Sequence, residues 1–166
     1  KVYKDPNSSI DEVVIVSGDR DLFQLVNDKV HIYMPSKGVV DGKLYKESDV
    51  IERMGVPPDR IVDYKGLVGD TADNYPGVPG IGPKTAVNLI NKYGSFDEIY
   101  KHISEVPSKV AEKLEKEKTN AEISYELAEI VTDCKIDFDL SLASKWDIDS
   151  QGVLDLFVNE FGFKTL

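Results

Sequence analysis

One cysteine, Cys134, is the whole thiol complement of this 166-residue chain. A lone cysteine excludes an internal disulfide framework and a thiolate metal cluster. The expected role is a buried structural thiol in a cytoplasmic protein. Histidine is nearly as scarce, and His31 and His102 are too few and too far apart to form a histidine catalytic system. No apolar run approaches membrane-spanning length and no charged-then-apolar leader precedes a cleavage site, so no membrane partner is expected. Internal repeats and low-complexity tracts are absent from the sequence. A basic excess is missing too: 20 Lys and Arg face 30 Asp and Glu, a net charge of −10. That balance argues against a general nucleic-acid binder, which carries a basic footprint. What remains is one soluble globular unit, 41% hydrophobic, long enough to bury a core.

The acid excess is uneven. Residues 1–75 hold ten basic and fourteen acidic side chains, and residues 119–166 hold three and ten. Residues 76–118 hold seven and six, so this is the one segment that is not acidic. It begins with Gly77-Val-Pro-Gly-Ile-Gly-Pro-Lys-Thr-Ala86. Gly80 and Gly82 let the backbone turn sharply and bring its amides close to an anion. Pro83 suits the first turn of a helix, where its missing N–H costs nothing. Free amides at that helix start, beside Lys84 and Thr85, favour a phosphate oxygen. Ile81 acts as a hydrophobic plug, and the apolar face of the following helix ends at Gly94. A Gly-rich turn that merely joins two helices is the plainer alternative. The full run is a helix-hairpin-helix signature, expected to hold duplex DNA weakly and in a salt-sensitive way.

Acids occur in two pairs upstream. Val13–Val16 is a β-branched run of the kind found in buried parallel strands. It ends at Ser17-Gly18, so Asp19 and Asp21 emerge at its carboxyl end, where open α/β sheets place their sites. Asp70 and Asp73 are spaced i, i+3, on one side of a helical turn. Four acids brought together need a cation, and all-oxygen ligation selects a hard ion, Mg²⁺ or Mn²⁺. The alternative is helix capping by Asp70 or Asp73, with Asp19 and Asp21 in a solvated turn.

Val-Ile-Val-Ser-Gly-Asp-Arg-Asp-Leu-Phe-Gln-Leu and Gly-Asp-Thr-Ala-Asp-Asn-Tyr-Pro-Gly-Val-Pro-Gly-Ile-Gly-Pro-Lys-Thr-Ala resemble the 5′-nuclease family. That family includes the nuclease domain of bacterial DNA polymerase I and, more widely, the flap endonucleases. The resemblance runs from about Val13 to the closing Phe161-Gly-Phe-Lys-Thr-Leu166. It implies that Asp19, Asp21, Asp70 and Asp73 are metal ligands for two ions. By the same likeness, Gly80, Ile81, Gly82, Lys84 and Thr85 belong to a helix-three-turn-helix element on duplex DNA. The implied activity is metal-dependent 5′–3′ exonuclease or flap-endonuclease cleavage near a 5′ flap or nick, in replication and repair. The family carries a further half-domain ahead of the strand that here begins at Val13, with its own strand Asp, an acidic Glu-Ala-Asp-Asp cluster and a basic arch. Lys1–Glu12 shows none of these. The resemblance therefore implies the carboxy-terminal part of a 5′ nuclease, partnered by that half or followed by a polymerase domain. Such a chain is expected to fold alone yet cut little or not at all. Two other classes stay open. One is a non-catalytic module that binds DNA structure. The other, a DNA glycosylase, fits poorly because Tyr93-Gly-Ser-Phe-Asp97 does not match the segment on which those enzymes place their Asp.

The expected fold is α/β first and all-α afterwards: the later strands of a PIN-like sheet, then the helical hairpin region. Residues 1–69 would be the rest of the nuclease core and 70–166 the DNA-binding region, in one cooperative unit. Strands are expected at Val13–Val16 and Val30–Met34, the second half exposed, with a hairpin over Gly38–Tyr45 turning at Asp41-Gly42. Helices are expected at Leu22–Leu25, Ser48–Met54 and Pro57–Val68. Past Pro76, they are expected at Pro83–Tyr93, Ser95–His102, Ser108–Lys118, Asn120–Val131 and Asp149–Phe161. Glu112–Lys118 reads as a solvated helix face. Leu140–Trp146 reads as a loop packing Trp146 on the core, and Pro6–Ser9 as a turn.

Overall fold

The computed structural model describes residues 10–37, 41–145 and 151–162. The chain divides into two compact units, Lys1–Ile130 and Val131–Leu166.

In the first unit the β-branched run forms strand β1, Val13–Val16, beside β2, Val30–Lys37, and β3, Asp41–Tyr45. The sheet order is β1-β2-β3. β1 runs parallel to β2 with Val13 opposite Val30 and Val16 opposite Tyr33. β2 and β3 are antiparallel, with Ile32 opposite Tyr45. β1 thus has one strand partner among the described residues. It is not buried on both faces as expected: Val14 is 46% and Val16 59% exposed. Successive side chains leave a strand on opposite sides, and only the Val13/Ile15 side is partly covered. The expected turn at Asp41-Gly42 is also displaced. Both residues lie in β3, paired with Lys37 and Pro35, so the connection falls at residues 38–40, outside the described set.

Helix α1, Glu47–Met54, starts where the Lys46 amide donates to Asp49 Oδ2 at 3.1 Å and stops at Gly55. A short 3₁₀ turn, Pro58–Arg60, leads into α2, Ile61–Val68. Then come α3, Pro83–Tyr93, α4, Phe96–Lys101, α5, Ser108–Lys116, and α6, Lys118–Ala128. One apolar core runs through them, from Phe23 and Ile32 through Ile61 and Leu67 to Ile99 and Leu114. Each such fully buried side chain contributes about 1.5–3 kcal/mol.

Helix α2 sits at its centre. Gly66 lets α6 approach so closely that a Cβ there would stand 3.0 Å from the Tyr125 Cβ. Asp63, buried on the same helix, accepts the Phe96 amide at 2.6 Å and so fixes the start of α4. The Ser124 hydroxyl of α6 accepts the Gly77 amide at 2.9 Å and donates to the Asn120 carbonyl at 2.7 Å.

Beyond α6 three further expectations are corrected. Residues 129–139 have no regular structure, so the region past Pro76 is not helical throughout. Cys134 lies in that stretch and is exposed, not a buried structural thiol. Leu140–Ala143 is a short helix, α7, where a loop was expected; the Asp139 carboxylate starts it by accepting the Ser141 amide at 2.8 Å. Helix α8, Gln151–Asp155, continues into a wider turn over Leu156–Glu160. Trp146, Pro6–Ser9 and residues 163–166 lie outside the described residues. No helix among the described residues is long and apolar enough to cross a membrane.

Burial pushes the Asp63 carboxyl above its ordinary value of 3.8, against the Phe96 amide and Arg60, which pull it down. A raised carboxyl favours the folded state at acid pH and loses that advantage as pH rises through the raised value. Asp63→Ala, which orphans the Phe96 amide, should cost about 1–3 kcal/mol in urea unfolding. Asp63→Asn keeps an acceptor, should cost less, and should flatten the loss of stability as pH rises above 3.8. Equal losses in both variants would remove the helix-start role assigned to this carboxylate.

Candidate metal centre and nucleic-acid interface

The chain leaves β1 through a tight polar turn. Ser17 Oγ accepts the Asp19 amide at 3.1 Å, and Asp19 Oδ1 accepts the Asp21 amide at 2.9 Å. Asp21 then opens a 3₁₀ turn, Asp21–Leu25, anchored by the fully buried Phe23. Asp21 is thereby held at the carboxyl end of the parallel strand.

Asp70 and Asp73 come from a second device. They sit on a closed turn, not on a helical one as expected. Asp70 and Tyr75 exchange backbone hydrogen bonds at 2.9 and 3.0 Å, and Asp70 Oδ1 accepts the Ala72 amide at 2.8 Å. The base is pinched between Gly69, φ +74°, and Gly77, φ +58°. A Cβ on Gly69 would stand 2.5 Å from the Pro76 carbonyl carbon, and one on Gly77 would overlap the Val68–Gly69 backbone. Only glycine fits at either place.

Three of the four expected acids converge: oxygens of Asp21, Asp70 and Asp73 lie within 4.8 Å of one another. Asp19 is not among the three; its Oδ1 accepts the Asp21 amide, and it lines the same cavity of about 640 Å³. Sequence reasoning missed Lys65. Its side chain is only 8% exposed, and its ammonium bridges Asp21 and Asp70. Burial opposes that charge, but the two carboxylates outweigh it and hold Lys65 above its usual range. In return the Lys65 hydrogen bond holds Asp70 below the usual carboxylate range. The signal was present, since Lys65 follows Ile61 by four residues and so occupies the core-facing stripe of an apolar helix. The Tyr75 hydroxyl is buried beside these groups, against Lys65. A hard, all-oxygen donor set with enough negative potential to hold an ammonium fits a divalent cation.

The hairpin follows directly. Ile81 is 4% exposed and is the expected plug, its amide donating to Val78 O at 2.9 Å. Gly80, φ +82°, turns the chain. Gly82 precedes Pro83 as the N-cap of α3, with no side chain capping the helix. Its backbone is ordinary extended geometry, and a Cβ would meet nothing within 4 Å. The chain's own fold therefore has no need of glycine at 82, and the amide surface there is left open. Lys84 is exposed and Thr85 half-buried beside it.

A small mixed sheet with acids at a strand end, followed by a helix-hairpin-helix, is a 5′-nuclease type of architecture. The chain belongs to the 5′-3′ exonuclease family: residues 56–151 match its C-terminal SAM fold. It is 41% identical over 156 residues to DNA polymerase I of Bacillus subtilis, covering 93% of this chain and 18% of that protein. It is also 41% identical over 119 residues to a 5′-3′ exonuclease of Bacillus subtilis, covering 72% of this chain and 40% of that one. The chain thus spans less than half the length of these relatives. Among solved structures, the bacteriophage T5 flap endonuclease in complex with DNA and metal ions superposes with a TM-score of 0.60 at 26% identity, over 71% of this chain and 43% of that one.

Gly77→Ala should open the loop that carries Asp70 and Asp73, with about 1–3 kcal/mol lost to backbone strain alone. Urea unfolding and amide exchange at Asp70 and Tyr75 read the two effects. An unchanged midpoint with both amides still protected would show that the glycine pinch does not close the loop.

Proposed function

We propose that this chain supplies part of the metal site and the duplex grip of a 5′–3′ exonuclease or flap endonuclease acting on structured DNA in the cytoplasm. The observation that carries the reading is the convergence of Asp21, Asp70 and Asp73 in one cavity, a few residues from an uncapped, open hairpin. Asp21, Asp70 and Asp73 would hold divalent ions, Mg²⁺ or Mn²⁺, with Asp19 at the margin of the same cavity. Such ions, when bound, activate water and neutralise charge on a scissile phosphate. The residues themselves position and exclude. Asp19 fixes the Asp21 amide, Lys65 balances the carboxylates, and the Gly69–Gly77 pinch holds Asp70 and Asp73 facing Asp21.

At the hairpin, Gly80, Ile81, Gly82, Lys84 and Thr85 would take a phosphate of duplex DNA bearing a 5′ flap or nick. Backbone amides read the shape of the backbone and carry no sequence preference. In this division residues 1–69 contribute core and residues 70–166 contribute grip. Relatives named as 5′-3′ exonuclease and a DNA-bound flap endonuclease support the reading.

The test separates the two halves of the site. Asp70→Asn should lose most of the thermal stabilisation that millimolar Mn²⁺ gives the parent while binding duplex DNA within about twofold of it. Gly82→Val should bind Mn²⁺ normally and duplex about tenfold more weakly, because a branched side chain stands where phosphate must approach. In a complete nuclease domain carrying these residues, Asp70→Asn should abolish flap cleavage. Full cleavage in that variant would remove the metal assignment.

A further inference from the structure

Lys113, on α5, reaches the hairpin. Its ammonium donates to the Gly80 carbonyl at 3.0 Å, and a Cβ on Gly80 would stand 2.6 Å from the same nitrogen. Gly80 thus leaves room for a lysine arriving from 33 residues away. That bond uses one of the three donors of the ammonium, and the Lys113 side chain is exposed. Helix α5 buries Leu114 and partly covers Val110 and Ala111. Lys109 and Lys113, at i and i+4, share a different, exposed face, with Glu112 at its edge, three residues after Lys109, and Glu115 further round the helix. None of the ion pairs among the described residues involves Lys84, Lys109 or Lys113.

The surface is continuous with the hairpin in a second way. Thr85 also lines a groove of about 250 Å³ between α3 and α5, with Asn88 and Lys92 on one wall and Pro107 and Val110 on the other. Helix α5 thus meets the hairpin at Lys113 and the groove at Val110. Lys109 and Lys113 stand roughly 6 Å apart along the helix. That is a little under two base-pair rises of duplex, so the pair can address two phosphates of one strand.

We infer that Lys113 and Lys109 form a second phosphate contact, extending the duplex footprint from the hairpin onto α5. The inference rests on the hairpin reading proposed above. The occupant is the phosphate backbone of duplex DNA. Lys113 does two jobs: it fixes the Gly80 carbonyl and presents charge beside the open Gly82 backbone.

The experiment is fluorescence-anisotropy titration of the 166-residue chain with a labelled 5′-flap duplex in EDTA, repeated over a range of NaCl concentrations. Lys113→Met and Lys109→Met should each bind about three- to tenfold more weakly and lower the slope of log K against log salt by about one. Lys113→Arg, which keeps charge and donors, should retain the parent slope, and Lys29→Met, at a surface turn of the sheet, should bind as the parent. Unchanged slopes in both methionine variants, with Gly82→Val still weakened, overturn the α5 contact and leave the hairpin reading standing. Lost slopes with Gly82→Val unimpaired support α5 and overturn the hairpin amides as the grip. If all three variants bind like the parent, or the parent binds no duplex at low salt, both fall.

Discussion

The ion pair that joins Lys65 to Asp21 and Asp70 is the interaction on which the rest of the site depends. Two carboxylates converging from a strand end and a closed turn would repel one another, and in a half-buried setting that repulsion is poorly screened. A lysine from α2 between them turns repulsion into attachment. It also ties three separate pieces of chain, the sheet end, the helix and the acid-bearing turn, to one nitrogen. Removing one partner of such a pair leaves the others uncompensated, so the arrangement has little tolerance for loss of any member.

Helix α2 distributes that constraint. Within eight residues it gives Asp63 to the start of α4, Lys65 to the acids, Gly66 to the close approach of α6, and the Leu67 carbonyl to the Val78 amide at 2.8 Å. A short helix with so many obligations cannot have a simple amphipathic pattern. Two of its buried residues are charged, each held by partners from elsewhere in the sequence.

That crowding explains what was legible and what was not. The hairpin could be read because its geometry is local: Gly80 turns, Ile81 plugs, and Pro83 starts a helix, all within four residues. Asp19 and Asp21 could be read from the strand end, whereas Asp70 and Asp73 were expected from i, i+3 spacing on a helical turn and sit instead on a closed one. Lys65 could not be read the same way, because its role depends on a carboxylate 44 residues upstream. Asp41-Gly42 misled because a turn-favouring pair carries the same local signal inside a strand, and pairing with Pro35 and Lys37 overrode it. For Cys134 the prior for burial failed because the stretch around it builds no regular element that could cover it.

The base shared by the acid turn and the hairpin has a metric consequence. Gly80 lies seven positions after Asp73, and a peptide spanning seven positions cannot extend beyond about 25 Å. Ser124 fastens the middle of the span at Gly77, so the two ends cannot drift apart by sliding. Chain length thus acts as a ruler. The hairpin backbone and the Asp73 backbone therefore stay within that length of one another.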